Sequence, residues 1–382
     1  MKKFELSERL KKFPPYLFAE IDRQKSLLRK KRVEFIDLSI GDPDIAAPLA
    51  VINSLSKAAK IKINQKYALD QGKTAFRLAI KKWQKKRFGV SVDAESQVLP
   101  LIGSKEGLIH FPLAFVNSGE YIIVPSPGYP GYKSAARFVS AKIHELPLLE
   151  KNRFLPELSK IPLGVRNKAK LIYLNYPNNP TTSLAPLGFL KEVVNFCSKY
   201  GIILAYDNAY SEIYFKDKPH SVLEVKGADE VALEFHSLSK TYCVTGFRVG
   251  WASGNPQLVK GLLKVKANVD SGIFGAIQEA AITALDTQSG YVNNLRKTLR
   301  QRRDIFIDVL EKSGIEPCYC DSTFYVWARV PRKFKSSIDF SKYLLQEKRI
   351  VATPGLGFGK YGEGFIRFAL TVDKNILRKV RI

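Results

Sequence analysis

The chain has 382 residues, 45% of them hydrophobic and 25% charged, which excludes a disordered polypeptide and supplies enough apolar material for a large core. Its unusual number is a formal charge of +25, from 61 Lys and Arg against 36 Asp and Glu. The basic residues are scattered in short clusters such as RKKR and KKWQKKR, with no helix-turn-helix, zinc-finger or RNP-like motif, so nucleic acid is not an expected partner.

No apolar run approaches the roughly 18 residues that span a bilayer. The opening MKKFELSERLKKF is charged and amphipathic and lacks the continuous apolar stretch of a secretory signal. Cys197, Cys243, Cys318 and Cys320 show no C-x-x-C spacing, and the histidines at 110, 144, 220 and 236 form no metal pair. These features predict a reduced, metal-free, cytoplasmic protein.

In chain order, residues 1 to about 35 read as a helical arm. FIDLSIGDPDIAAP reads as a short strand ending in a Gly-Asp-Pro turn. Helical patterns follow in AAPLAVINSLSKAAK and GKTAFRLAIKKWQKKRFG. Apolar strands then alternate with helices: SQVLPLIG, EYIIVPSPG, AKIHELPL, AKLIYLNYP, GIILAYDNAYS, EVALEFHSLS and FRVGWASG. This alternation predicts an α/β fold with a mostly parallel central sheet and helices on both faces. From about residue 285 a long charged helix leads into TFYVWARVP and EGFIRFALTV, the pattern of a smaller α+β domain. The expected division is an arm with part of the small domain at 1–44, a large domain at 45–284 and a small C-terminal domain at 285–382.

The stretch HSLSKTYCVTGFRVGW, residues 236–251, carries the first chemical signal. EVALEFHSLS reads as a buried strand, apolar and alternating, that stops at serines, and TGFRVGWASG reads as the next strand. Lys240 therefore falls in a turn at a strand end, where α/β proteins bind ligands. Ser237, Ser239 and the planar fork of Arg248 make a phosphate cradle. A lysine beside such a cradle suits pyridoxal phosphate, whose aldehyde takes an amine while its phosphate is anchored. A solvated turn lysine fits this window equally well.

Four further motifs bear on that choice. LPLIGSKEG ends a strand at Gly103 and opens a helix at Ser104, a geometry that suits an anion. Asp207 ends a strongly apolar strand, where a carboxylate could pair with a pyridinium nitrogen, and Tyr210 lies three residues on. LNYPNNPTT holds Asn179 between prolines that restrict the backbone. GFIRFALT places Arg367 inside an apolar strand, where an unpaired cation is costly and a carboxylate partner is implied. GLGFGKYGEG, by contrast, follows no strand-turn-helix pattern and is not read as a nucleotide site.

The order of these motifs resembles the fold-type I aminotransferases over nearly the whole chain. That resemblance implies pyridoxal phosphate as cofactor, amino acids and keto acids as substrates, and a homodimer. Carried over residue by residue, Lys240 is the residue that holds the cofactor and moves protons. Asp207 faces the ring nitrogen, and Asn179 and Tyr210 face the phenolic oxygen. Ser104, Lys105, Ser237, Ser239 and Arg248 line the phosphate side, Tyr129 stacks on the ring, and Tyr67 reaches the neighbouring subunit's phosphate. Arg367 holds the substrate α-carboxylate.

LNYPNNPT, EFHSLSKTY, NVDSGIF and STFYVWARVP are similar to the branch that builds the diamino dicarboxylate precursor of lysine with glutamate as donor. In that branch Tyr16, Gly41 and Lys105 contribute to the substrate pocket. The alternatives are a general alanine, aspartate or aromatic aminotransferase, a carbon–sulfur lyase, and a cofactor-binding regulator. Arg367 and the lack of an appended DNA-binding domain weigh against the last.

Two departures stand out. Thr182 replaces the glycine of the family's NNPTG, and a Cβ there disfavours positive φ, so a reshaped loop is expected. The residues before Tyr67 are INQK, without the acidic residue of plant-type relatives.

Overall fold

The computed structural model describes residues 4–11, 13, 17–287 and 289–382. Its centre is a seven-stranded sheet built from β2 (Val98–Leu101), β3 (Tyr121–Ser126), β4 (Lys142–Pro147), β5 (Ala169–Asn175), β6 (Ile203–Asp207), β7 (Ala232–Ser237) and β8 (Gly250–Gly254). The strand order is β2-β8-β7-β6-β5-β3-β4. Strands β3 to β7 pair in parallel, and β8 alone runs against its neighbours β7 and β2. The reversal follows from chain length: only residues 238–249 separate β7 from β8, and they hold a four-residue helical turn and a 3₁₀ turn in place of a crossover helix.

Two apolar clusters cover the sheet, one on each face. Alternation along β5 sends Ile172 and Leu174 into one and Leu171 and Tyr173 into the other. The expected α/β arrangement is therefore the one found. Strand β7 is the buried strand expected from its sequence: all six of its residues are buried. A central parallel strand is covered on both faces and has no solvent side. Its one acid is satisfied within the fold. Glu234 accepts from Asn208 Nδ2 at 2.7 Å, Ser221 Oγ at 2.6 Å and the Val222 amide at 3.0 Å.

A second layer carries β1 (Ile36–Asp37), β9 (Tyr325–Arg329), β10 (Ile350–Val351), β11 (Thr353–Pro354) and β12 (Phe365–Ala369). Strands β11, β12 and β9 form an antiparallel sheet, and β1 pairs in parallel with β10. The short strand near the start of the chain thus joins the C-terminal layer. The long charged helix, Ser289–Lys312, turns Leu295 and Leu299 toward one apolar cluster and Phe306 and Leu310 toward another. No described helix is long and apolar enough to cross a membrane.

Register positions the functional edge. Asn175 at the end of β5 lies opposite Asp207 at the end of β6, and Asp207 lies opposite Phe235, two residues before Ser237 ends β7. Three polar side chains therefore share the carboxyl edge of the parallel strands, where open α/β sheets receive ligands.

Arg77, in helix Thr74–Phe88, fastens the loop that carries Tyr67 and Gly72 to this layer. It is buried and donates to the carbonyls of Ala94 and Gly72 at 2.9 and 2.6 Å and to both carboxylate oxygens of Glu95. Arg77→Leu strands those acceptors. It is expected to cost about 3 kcal/mol, read as a lower urea midpoint with an unchanged slope.

Candidate active site

A cavity of about 370 Å³ opens at this edge, between the seven-stranded sheet and the C-terminal layer. Its wall includes Gly41, Ser104, Lys105, Tyr129, Asn179, Asp207, Tyr210, Ser237, Ser239, Lys240, Arg248 and Arg367. These residues are far apart in sequence and meet because strand ends converge. Tyr67 lies outside the wall and is 92% exposed, with Gln65, Ala68 and Phe274 around it. Tyr16 lies outside the described residues.

Lys240 sits in the four-residue helical turn Leu238–Thr241 that caps β7, where the sequence predicted an open turn. Its Nζ donates to the Gly41 carbonyl at 2.5 Å. Burial pushes its proton affinity down to about 8; Asp42 opposes the change, while Arg248 and Arg367 add to it. The second strand starts later than predicted. Thr245–Phe247 form a 3₁₀ turn, and Arg248 takes φ 53° before β8 begins at Gly250. That backbone turn aims the guanidinium back toward Gly103.

Gly103 has φ 73°, and a Cβ built on it would lie 2.3 Å from Arg248 Nη2. Glycine is required both for the conformation and for the close approach. Directly after it, Ser104 opens the twelve-residue helix Ser104–Phe115. The site thus joins a helix N-terminus, a guanidinium and the Ser237 and Ser239 hydroxyls, the donor set that a phosphate dianion requires.

Asp207 lies on the other side of the cavity. Tyr132 donates to its Oδ2 at 2.7 Å and the Ala209 amide donates to its Oδ1 at 3.2 Å. Among the described residues no Lys, Arg or His nitrogen pairs with it, and burial pushes its carboxyl up to about 6. A buried carboxylate with hydrogen bonds but no cation is suited to a protonated ring nitrogen. This donor set and the phosphate cradle both fit pyridoxal phosphate.

Arg367 in β12 is buried, and its fork is held by two neutral acceptors. Nη1 donates to Asn179 Oδ1 at 2.8 Å and Nη2 to the Ser39 carbonyl at 2.6 Å. The Tyr325 and Phe358 rings stack on it, with centroids 4.2 and 4.7 Å from Cζ. Tyr210 shares a 3.1 Å hydroxyl contact with Tyr325. A Cβ on Gly41 would lie 1.9 Å from Tyr325 Oη, so this glycine makes room for the tyrosine.

Sequence reasoning missed Tyr132 and Tyr325. Tyr132 follows Tyr129 by one helical turn, and Tyr325 alternates with Trp327 on β9. Both patterns were legible, but nothing in them names a partner. The turn containing Thr182 also departs from expectation. Thr182 takes φ 64° in spite of its Cβ, a conformation costing about 1–2 kcal/mol for such a residue. Its amide donates to the Asn178 carbonyl at 2.9 Å, and its carbonyl accepts from Ser322 Oγ at 2.5 Å. Surrounding hydrogen bonds hold the residue in that conformation and keep the turn intact.

A family model for aminotransferase class I and II matches residues 33–381. The chain belongs to this family, whose members depend on pyridoxal phosphate. It is 50% identical over 370 residues to LL-diaminopimelate aminotransferase of Aquifex aeolicus, covering 97% of this chain and 95% of that one. It is 49% identical to the enzyme of the same name from Nitratidesulfovibrio vulgaris strain Hildenborough, covering 98% and 96%. Among solved structures, apo-BacF from Bacillus subtillis superposes with a TM-score of 0.96 at 33% identity, covering 99% and 96%.

The raised Asp207 affinity sets a stability signature for the cofactor-free protein. Between pH 3.8, the ordinary value, and about 6, the native state keeps a proton that the unfolded chain releases, so stability falls as pH rises through that window. Asp207→Asn is expected to raise the melting temperature above pH 6, by up to ~3 kcal/mol in stability, with the difference vanishing below pH 4. Melting curves of both proteins across pH 4–8 check this.

Proposed function

We propose that this chain transfers the amino group of L-glutamate to tetrahydrodipicolinate, forming LL-2,6-diaminopimelate and 2-oxoglutarate in lysine biosynthesis. The observation that carries this reading is the meeting of Lys240, Asp207, Arg248 and Arg367 in one cavity, in a chain half identical to enzymes named for that product. Pyridoxal phosphate, when bound, supplies an aldehyde that accepts an amino group and a ring that withdraws electrons from the reacting carbon.

In this reading Arg248, Ser237, Ser239 and the start of helix Ser104–Phe115 hold the phosphate. Lys105 lies on the same side, at the second position of that helix. Asp207 keeps the ring nitrogen protonated, and Tyr132 holds the carboxylate in place. A cation next to Asp207 pulls its proton affinity back down, so the pair is ionic at neutral pH. Asn179 and Tyr210 face the phenolic oxygen, and Tyr129 covers the ring. Arg367 binds the substrate α-carboxylate with a fork already oriented by Asn179 and the Ser39 carbonyl.

Lys240 Nζ would hold the cofactor through its aldehyde and, as a free amine, would move the proton at the substrate Cα. The lowered affinity of this amine leaves an appreciable neutral fraction near pH 8, as a base requires. Lys105, Tyr16 and the backbone at Gly41 receive the far end of the diamino dicarboxylate. Residues 1–44, 45–284 and 285–382 form the arm, large domain and small domain of the working enzyme, which is cytoplasmic. Nucleic acid is not a partner in this reading, because the basic residues are scattered in short clusters.

Lys240→Ala is expected to abolish turnover and the lysine adduct fixed by borohydride, because Lys105, the other amine on the wall, lies on the phosphate side in this reading. A surviving adduct overturns the assignment. In stopped-flow half-reactions, LL-diaminopimelate and glutamate should aminate the cofactor, while lysine, which lacks a distal carboxylate, and the meso isomer, whose distal centre is inverted and misplaces its polar groups, do so far more slowly. Alanine or phenylalanine outperforming LL-diaminopimelate would replace the substrate reading with that of a general aminotransferase.

We also propose a homodimer. Tyr67 is exposed beside Phe274, Ile63, Leu69 and Val269 are exposed as well, and Tyr67 would complete the partner's phosphate site. Sedimentation should give a dimer, and Tyr67→Ala should weaken cofactor binding without changing the dimer. A fully active monomer contradicts this.

A further inference from the structure

The turn from Asn178 to Ser183 is fastened at both ends of its sequence to the C-terminal layer. At one end, Asn179 Oδ1 accepts from Arg367 Nη1 at 2.8 Å. At the other, the Thr182 hydroxyl donates to the Tyr319 carbonyl, and Ser322 Oγ donates to the Thr182 carbonyl at 2.5 Å. Tyr319 and Ser322 lead into β9, which pairs with β12, with Trp327 directly opposite Arg367. One turn of the large sheet therefore grips one antiparallel sheet at two points.

Thr182 is fully buried and sits at φ 64°, where glycine would be unstrained. The backbone bonds of this residue are available to any amino acid. The hydroxyl bonds to the Tyr319 carbonyl and to the Cys320 side chain, in the same 319–322 segment, require a side chain, so the hydroxyl accounts for a side chain at this strained position.

We propose that Thr182 is a positioning residue for the carboxylate fork of Arg367, acting through the Asn178–Ser183 turn. It fastens the turn to the segment 319–322, so that Asn179 meets Arg367 at a fixed distance before substrate arrives. This inference rests on the reading of Arg367 as the substrate carboxylate site. It predicts that loss of the hydroxyl is felt in substrate binding more than in the chemical step, because Thr182 does not line the cavity that holds Lys240.

The test uses holoenzyme with Thr182→Gly, which relieves the backbone and removes the hydroxyl, and Thr182→Ser, which restores the hydroxyl. Thr182→Gly is expected to raise KM for glutamate and 2-oxoglutarate about three- to tenfold, the equivalent of one side-chain hydrogen bond, with kcat changed less than about twofold. Thr182→Ser should lie close to the parent. Hydrogen exchange read by mass spectrometry should quicken in peptides covering 178–183 and 319–323 of Thr182→Gly. Unchanged KM, unchanged exchange in Thr182→Gly, or a serine variant no better than the glycine variant each overturns the proposal. If the parent transfers no amino group, the functional reading has failed, and the exchange measurement alone decides whether Thr182 fastens the two layers.

Discussion

A carboxylate buried at the end of a central strand, with no Lys, Arg or His paired to it among the described residues, is the constraint around which the rest of this molecule is arranged. Asp207 keeps its place because β6 is covered on both faces and pairs with β5 and β7. Such a group is tolerable only with strong donors nearby. Tyr132 is one, and it comes from a helix that begins just after Tyr129. The strand, the helix and the aromatic cover of the cavity are thus tied to one charge.

The opposite wall is cationic. Lys240 and Arg248 follow β7 within a few residues of each other, and Arg367 arrives from the second layer. Burial and mutual repulsion lower the proton affinity of Lys240, while Arg367 stays a cation stacked between two rings. A site with one buried anion and several cations is suited to a ligand that is positive at one point and carries acidic groups elsewhere. That is a statement about charge distribution in the cavity, and it is independent of the chain's overall +25.

Ion pairs tie the C-terminal half back to the rest of the chain around this cavity. Arg302 of the long helix makes a two-pronged pair with Asp44 at 2.6 and 2.9 Å, next to the Gly41–Asp42 segment that meets Lys240. Arg296 of the same helix reaches Glu212 at 3.4 Å, which also binds Arg87. The second layer is therefore held at defined points, and a displacement of Arg367 would be felt at Lys240 through residues 39–44.

Local pattern carried much of this in the sequence. Strand runs from 96 to 254, the helix start at Ser104 and the strand-end positions of Asp207 and Lys240 are readable because period, turn chemistry and capping act between neighbours in the chain. What neighbours do not determine was decided by tertiary packing. The pairing of Ile36–Asp37 with Ile350–Val351 and the contact of Tyr132 with Asp207 join residues separated by tens to hundreds of positions. The burial of β7 was legible, but the partners that satisfy Glu234 within it, Asn208, Ser221 and the Val222 amide, were set by tertiary packing. Thr182 is the clearest case: its intrinsic preference opposes φ 64°, and hydrogen bonds from Ser322 and to Tyr319, some 140 residues away, override that preference. Local propensities amount to about 1 kcal/mol per residue, whereas several buried hydrogen bonds acting together exceed that, so the tertiary contacts win wherever the two conflict.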